Sequence, residues 1–317
     1  MENTKLSHIP VLLNEVISFL PTSEKLSFLD CTAGGGGHFF EILKRCDART
    51  AQMTAQCWDR DPLAKARIEK RATEFNLSKS YVFKQKTFSE PPLKEESFDI
   101  ILADLGISSF QLDDPERGLS LHSERAPDFR MNPEIGPDFS EWLESIPVGE
   151  LESILRVYGE EPKAHKLAKA LKSEAPPLSQ AKLFADWIAK ILAYPPPSRR
   201  HPATRSFQAF RIAINQELQE LESLLKWAPE HLAVGGVLMI ISFHSLEDRM
   251  VKRRFRDLAE SGCFDILTKK PVDPSESEVQ QNPRARSAHL RVLSKVQEDD
   301  RGLVGGLVGK HEAKTSD

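Results

Sequence analysis

The segment Phe28-Leu29-Asp30-Cys31-Thr32-Ala33-Gly34-Gly35-Gly36-Gly37-His38 constrains this chain more than any other. An apolar run ends at an acid and opens into backbone nearly bare of side chains, ahead of a helical stretch from Phe39 to Lys44. A strand, a tight glycine turn and a helix N-terminus present main-chain N–H groups to a ligand. The dinucleotide fingerprint needs a third glycine where helix and strand pack closely. Phe39 or Phe40 stands there, which disfavours NAD. An acid followed by Gly34 and Gly36 fits better the arrangement that holds S-adenosylmethionine (SAM), with Thr32 where the first glycine of that pattern usually lies. Taken alone, the same glycines also suit a flexible turn.

Later strand ends repeat the pattern. Met53 to Trp58 reads as a second strand ending at Asp59-Arg60-Asp61-Pro62, and an acid in that place can accept both hydroxyls of a ribose. Pro62 suits the first turn of a helix over Leu63 to Phe75. Tyr81 to Gln85 reads as a third strand, and Phe98 to Ala103 as a fourth, apolar throughout as parallel strands buried on both faces are. The fourth ends at Asp104-Leu105-Gly106. Asp30, Asp59 and Asp104 are thereby expected around one crevice at the carboxyl edge of a parallel sheet.

With 317 residues, 40% of them hydrophobic, the chain can bury one large core or two domains. A net charge of −4 does not announce a nucleic-acid partner. Three basic clusters point that way faintly: Ser198-Arg199-Arg200-His201, Lys252 to Arg256, and Arg284-Ala285-Arg286, each of which also suits a solvated face. The four cysteines, Cys31, Cys46, Cys57 and Cys263, lack C-x-x-C spacing, and no two histidines stand at a zinc interval, so no metal is expected. The start, Met1 to Ser7, is polar and no apolar run approaches the ~20 residues that span a bilayer, so the expectation is a cytoplasmic protein with reduced thiols and no membrane partner.

The α/β alternation stops after Asp104 and resumes near Phe207. Gln111 to Pro137, rich in proline, glycine and charge, reads as a long ordered loop of the kind that serves as a functional lid. Helical patterns follow over Phe139 to Ser145, Gly149 to Tyr158, Lys163 to Ser173 and Gln180 to Leu192, ended by Tyr194-Pro195-Pro196-Pro197. Phe207, Phe210, Ile214, Leu218, Leu221 and Leu225 mark one face of a long helix. Gly235-Gly236 leads into a fifth strand, Val237 to Phe243, followed by His244-Ser245-Leu246-Glu247-Asp248, where Ser245 can cap a helix with Asp248 at its third position. His244 suits a structural and a substrate-contacting role equally. Cys263 to Lys269 and Ser287 to Val296 read as final strands joined by a polar loop. The expected organisation is a first methyltransferase segment over 1–112, an inserted helical substrate-recognition domain over 113–205, a second methyltransferase segment over 206–296 and a disordered tail over 297–317.

His8 to Leu13, Asp30 to His38, Asp104 to Ser109, Gln111 to Asp114, Glu116-Arg117-Gly118, His201 to Arg205, Ser242 to Asp248 and Asn282 to Ser287, in this order, resemble the bacterial RsmH (MraW) family from about His8 to Val296. The resemblance implies a class I SAM-dependent methyltransferase, an α/β Rossmann-like sheet with an inserted helical domain. It further implies transfer to the N4 amine of a cytidine in the decoding region of small-subunit (16S) ribosomal RNA, with that RNA inside the small subunit as partner, no DNA, and room for a homodimer. By resemblance the cofactor residues are Gly36, Gly37, His38, Asp59, Phe88, Asp104 and Gln111. Phe88 suits an adenine surface, though it equally suits ordinary core. The chain departs from the family at Cys31, commonly glycine, and at Phe129 and Asn132 in a usual Asp-Met-Arg-Met-Asp run.

A cytosine amine is a poor nucleophile because its lone pair is delocalised into the ring, so an acceptor that hydrogen-bonds the amine would assist transfer. Asp104 stands where many amino-methyltransferases place an Asp/Asn-Pro-Pro-aromatic motif, here without the prolines or aromatic. It is the first catalytic candidate, followed by His244 and Ser242. Competing classes are an NAD-dependent oxidoreductase, against the missing glycine, and a non-catalytic RNA-binding assembly factor, which would need only the basic clusters.

Overall fold

A computed structural model describes residues 9–47, 52–76, 81–195 and 201–297. The N-terminal stretch to His8, Arg199-Arg200 of the first basic cluster and the expected tail beyond 297 lie outside the described residues.

Strands β1 (Lys25–Asp30), β2 (Gln52–Asp59), β3 (Val82–Gln85), β4 (Phe98–Asp104), β5 (Leu232–Ser242), β6 (Phe264–Ile266) and β7 (His289–Lys295) form one sheet in the order β3-β2-β1-β4-β5-β7-β6. The pairs from β3 to β5 are parallel, while β7 runs antiparallel to both its neighbours. This is the doubly wound, Rossmann-like sheet that the family resemblance implies. Register places Phe28 beside Ile100, Leu29 beside Ile101 and Leu102 beside Met239. Alternate residues then face opposite ways. Phe28, Ile100, Leu102, Met239 and Ile241 join one core with the helices Leu13–Ser18, Gly37–Asp47 and Ala64–Glu74. Leu29, Ile101, Ala103, Leu238 and Ile240 join another with Glu217–Trp227 and Ser245–Ser261. Helices on both faces are why these strands read as unbroken apolar runs.

A third core gathers the helices Phe139–Ser145, Val148–Val157, Ala164–Ser173, Ala181–Leu192 and Thr204–Asn215. Phe129, a departure from the family run, is at its centre, with ring centroids 4.7 Å from Phe139, 5.0 Å from Phe207 and 5.4 Å from Phe210. Burying such an aromatic contributes a few kcal/mol. The helical core thus extends past residue 205, through Phe207 and Phe210.

The single long helix expected from Phe207 to Leu225 is two helices, Thr204–Asn215 and Glu217–Trp227, broken at Gln216 with φ 53°. One apolar stripe serves two cores here. Phe207 and Phe210 enter the helical core whereas Leu221 and Leu225 enter the sheet core, and the left-handed residue turns the chain between them. β5 begins before the glycine pair, with a register shift opposite Phe98/Ile100 and Gly235 at φ 79°. The expected strand over Cys263 to Lys269 shortens to Phe264–Ile266, and the polar loop after it holds a helix, Glu276–Gln281, and a 3-10 turn, Pro283–Ser287. No helix of the described residues is long and apolar enough to cross a membrane.

Candidate functional site

The strand order reverses between β1 and β4, and a cavity of about 300 Å³ opens there at the carboxyl ends of the strands. Asp30, Asp59 and Asp104 all line it, as do Gly37, His38, Phe88 and Gln111. Gly36 does not line it. At φ 75°, its α-carbon faces inward, where a methyl group would lie 2.6 Å from the Phe40 ring and 2.9 Å from Ile68. Glycine there gives the loop its turn and lets it settle on the core. Gly35 lies under the ring of Phe110, which any side chain at that position would overlap. Phe39 and Phe40 are fully buried in the sheet core, the packing that replaces a dinucleotide fold's third glycine.

Each acid is held differently. Asp30 accepts from the Thr32 N–H at 2.9 Å, and Thr32 Oγ1 accepts the Asp104 N–H at 2.7 Å, so the threonine ties the ends of β1 and β4 together across the switch point. Burial, with a smaller push from Asp59, raises the Asp30 carboxyl to about 7. Asp59 accepts the Gly34 N–H at 2.6 Å on one oxygen and the Asp61 N–H at 2.8 Å on the other. It therefore fixes the glycine loop, and a lone pair remains on each oxygen for a hydroxyl.

Asp104 is the least satisfied. Its Oδ1 is buried without a hydrogen-bond partner, while Oδ2 lies 3.5 Å from His38 Nδ1. His38 Nε2 lies 2.7 Å from the Val11 carbonyl, which can only accept, so that nitrogen carries the proton and Nδ1 faces the acid. Burial first, then the charges of Asp30 and Glu247, push the Asp104 carboxyl up to about 8.

Gln111 is buried, its Oε1 accepting from the Ser108 N–H at 3.0 Å in a capping box and its Nε2 donating to the Met131 carbonyl at 3.3 Å. The 111–137 segment is pinned at that point: Arg117 Nη2 also donates to Met131 O, at 2.6 Å, and Asn215 Oδ1 accepts from Met131 N at 2.7 Å. Asn132 is buried beside this anchor and its Oδ1 accepts the Glu134 N–H at 3.0 Å. Phe88 packs against the core formed with Glu217–Trp227, and its carbonyl accepts from Trp227 Nε1 at 2.8 Å.

Two of the catalytic candidates are not brought to the cavity wall. Ser242 is 1% exposed and turns its hydroxyl toward the His289 carbonyl of β7, 3.4 Å away. His244, rather than Ser245, is the N-cap of Ser245–Ser261: its Nδ1 accepts the Glu247 N–H at 3.4 Å, and its Nε2 lies 3.1 Å from Glu247 Oε1. Glu247 answers by accepting the Phe243 N–H at 2.9 Å, and Asp248 instead pairs with Arg291 at 2.6 Å. Arg211, Glu217 and Glu247 are among the wall residues that sequence reasoning missed. The available signals were an arginine on the flank of an apolar helical stripe and an acid three residues beyond a strand-end histidine.

A buried acceptor without a partner, a glycine loop held by an acid and an apolar ring at Phe88 together fit a ligand bearing a cation, a ribose and a base, as SAM does. A family model for the MraW methylase family matches residues 5–296. A Synechococcus protein named ribosomal RNA small subunit methyltransferase H is 42% identical over 91% of this chain and 92% of its own length. A protein of the same name from Acidobacterium capsulatum is 38% identical over 91% of this chain and 98% of its own. A putative rRNA methylase structure from Clostridium thermocellum overlays with a TM-score of 0.45 at 11% identity, covering 92% of this chain and 100% of that one. With a match spanning the sheet, the inserted helices and every strand end that lines the cavity, the chain belongs to the MraW methylase family.

Proposed function

We propose that this protein transfers a methyl group from SAM to the N4 amine of a cytidine in small-subunit ribosomal RNA. The observation that carries the reading is the cavity at the β1/β4 switch point, lined by Asp104, whose Oδ1 is buried without a hydrogen-bond partner, in a chain 42% identical to a small-subunit rRNA methyltransferase. When bound, SAM supplies an electrophilic methyl group on a sulfonium.

The chain's own residues align and exclude. Asp59 and the backbone of Gly34, Gly35 and Gly37 hold the ribose and amino-acid parts, with Phe88 against the adenine. Asp104, beside His38, offers its free oxygen to a cation or an amine. Met131, held by Gln111, Arg117 and Asn215, and Phe110 narrow the mouth so that an unstacked base meets the methyl group away from water. Gly36, whose α-carbon faces the core, supports the loop rather than touching the ligand. The other classes fare worse: the buried Phe39 and Phe40 fill the place where a dinucleotide fold packs helix on strand at a glycine, and an RNA-binding scaffold has no use for a cavity whose wall acid keeps one oxygen without a partner.

The test is methyl incorporation from labelled SAM into unmodified small ribosomal subunits. About one methyl group per subunit supports the reading, and SAM binding without any incorporation contradicts it.

A further inference from the structure

Beyond Asp104, on the side away from the glycine loop, the cavity wall carries a guanidinium and a carboxylate to which the reading above gives no role. Arg211 reaches the wall from the helix Thr204–Asn215. Glu217 fixes the guanidinium plane, accepting from Nε at 2.7 Å and Nη2 at 2.9 Å. The guanidinium lies beneath the loop that follows β4: a methyl group on Gly106 would sit 3.7 Å from Nη2 and 4.0 Å from Nη1. No described residue accepts from Nη1. Glu247 enters from the first turn after β5, 2% exposed, and one of its carboxylate oxygens lies within 4.8 Å of one of Glu217's. A fixed donor and a fixed acceptor therefore stand side by side in the wall.

We propose that Arg211 and Glu247 read the Watson–Crick edge of the target cytosine, Arg211 donating to the ring acceptors N3 and O2 and Glu247 accepting from the exocyclic amine. The proposal rests on the cytidine reading above. Cytosine presents acceptors beside a donor, whereas uracil presents an N3–H donor beside an O4 acceptor. A uracil in the same pose would set N–H against guanidinium and a carbonyl against carboxylate, leaving buried polar groups unpaired. The flanking groups suit this division. Burial pushes the Glu247 carboxyl up, but the His244 ring, the Phe243 N–H and the Arg211 charge outweigh it, and the net shift is downward. Glu247 stays ionised at neutral pH, while Asp104 nearby holds a proton in the free protein. Glu217, His244 and Glu247 bring three candidate metal-ligand atoms within 4.8 Å, but the Arg211 guanidinium already engages Glu217 and supplies the positive charge.

The test uses the full chain saturated with S-adenosylhomocysteine and titrated with cytidine and uridine monophosphates. The expected result is a preference for cytidine monophosphate of about 100-fold in the parent. Glu247→Gln, whose amide can donate to O4, should collapse that preference to within about 3-fold, and Arg211→Lys should weaken cytidine monophosphate about 10-fold or more. Arg211→Lys should bind S-adenosylhomocysteine within about 2-fold of the parent, and Glu247→Gln at least as tightly as the parent, since losing that charge eases the ionisation of Asp104. An unchanged preference in Glu247→Gln overturns the proposal, as does loss of S-adenosylhomocysteine binding in both variants, which would assign the pair to cofactor or fold. Methyl transfer by the parent to unmodified subunits is measured alongside. Transfer with both nucleotides bound alike overturns the base-reading pair alone, whereas a firm cytidine preference with no transfer supports the pair and faults the functional reading.

Discussion

Asp104→Asn should abolish a pH dependence of SAM binding that the parent carries. In the free protein, burial, Asp30 and Glu247 push this carboxyl up to about 8, so most molecules hold a proton there at neutrality. The sulfonium and ammonium of SAM favour the carboxylate, so binding expels that proton. With a free-protein value of about 8, the ionised fraction rises from about 1% at pH 6 to about 50% at pH 8, which gives about a 50-fold gain in affinity, or ~2.3 kcal/mol. Above about pH 8 the gain stops. The sign for folding is opposite to that of an ordinary carboxylate: the native state binds more protons than the unfolded one between about pH 4 and pH 8, so this group makes stability fall as pH rises through that window. Calorimetric titration of parent and variant at several pH values, in buffers of different ionisation enthalpy, measures both affinity and proton release. Taking the ratio of the two proteins cancels the ligand's own titration. Equal pH slopes in parent and variant would refute a protonated Asp104 at the cofactor.

Asp59→Ala should weaken SAM binding about 100-fold by removing a charged acceptor from the ribose, as read by titration. It should also lower unfolding stability by roughly 1–3 kcal/mol in denaturant melts, because the Gly34 and Asp61 N–H groups lose their partner. Ser242→Ala should keep kcat/KM for subunits within about 2-fold of the parent, since its hydroxyl faces β7; a loss of about 100-fold would return Ser242 to the site.

The strand ends were legible because two facts are written locally: apolar runs mark strands buried on both faces, and β1, β2 and β4 each end at an acid. Those runs assign Asp30, Asp59 and Asp104 to one edge of the sheet. What stayed hidden depends on partners distant in sequence. The break at Gln216 answers to two cores, and an apolar stripe says nothing about how many cores it feeds. His244 and Ser245 both suit a cap by composition, and the choice turned on Glu247 reaching back to the Phe243 N–H. Phe129 read only as a departure from the family run, and its place in the helical core stayed hidden because its neighbours, Phe139, Phe207 and Phe210, come from helices further along the chain. Arg211 and Glu217 were invisible for the same reason, as their place in the wall depends on the turn at residue 216.

Identification of the modified nucleoside tests the proposed reaction most directly. Unmodified small ribosomal subunits would be incubated with the protein and methyl-labelled SAM, and their RNA digested to nucleosides and resolved by mass. The predicted result is label in N4-methylcytidine alone, from a single site. Label on a ring carbon, on a ribose hydroxyl or on any base other than cytosine would contradict it.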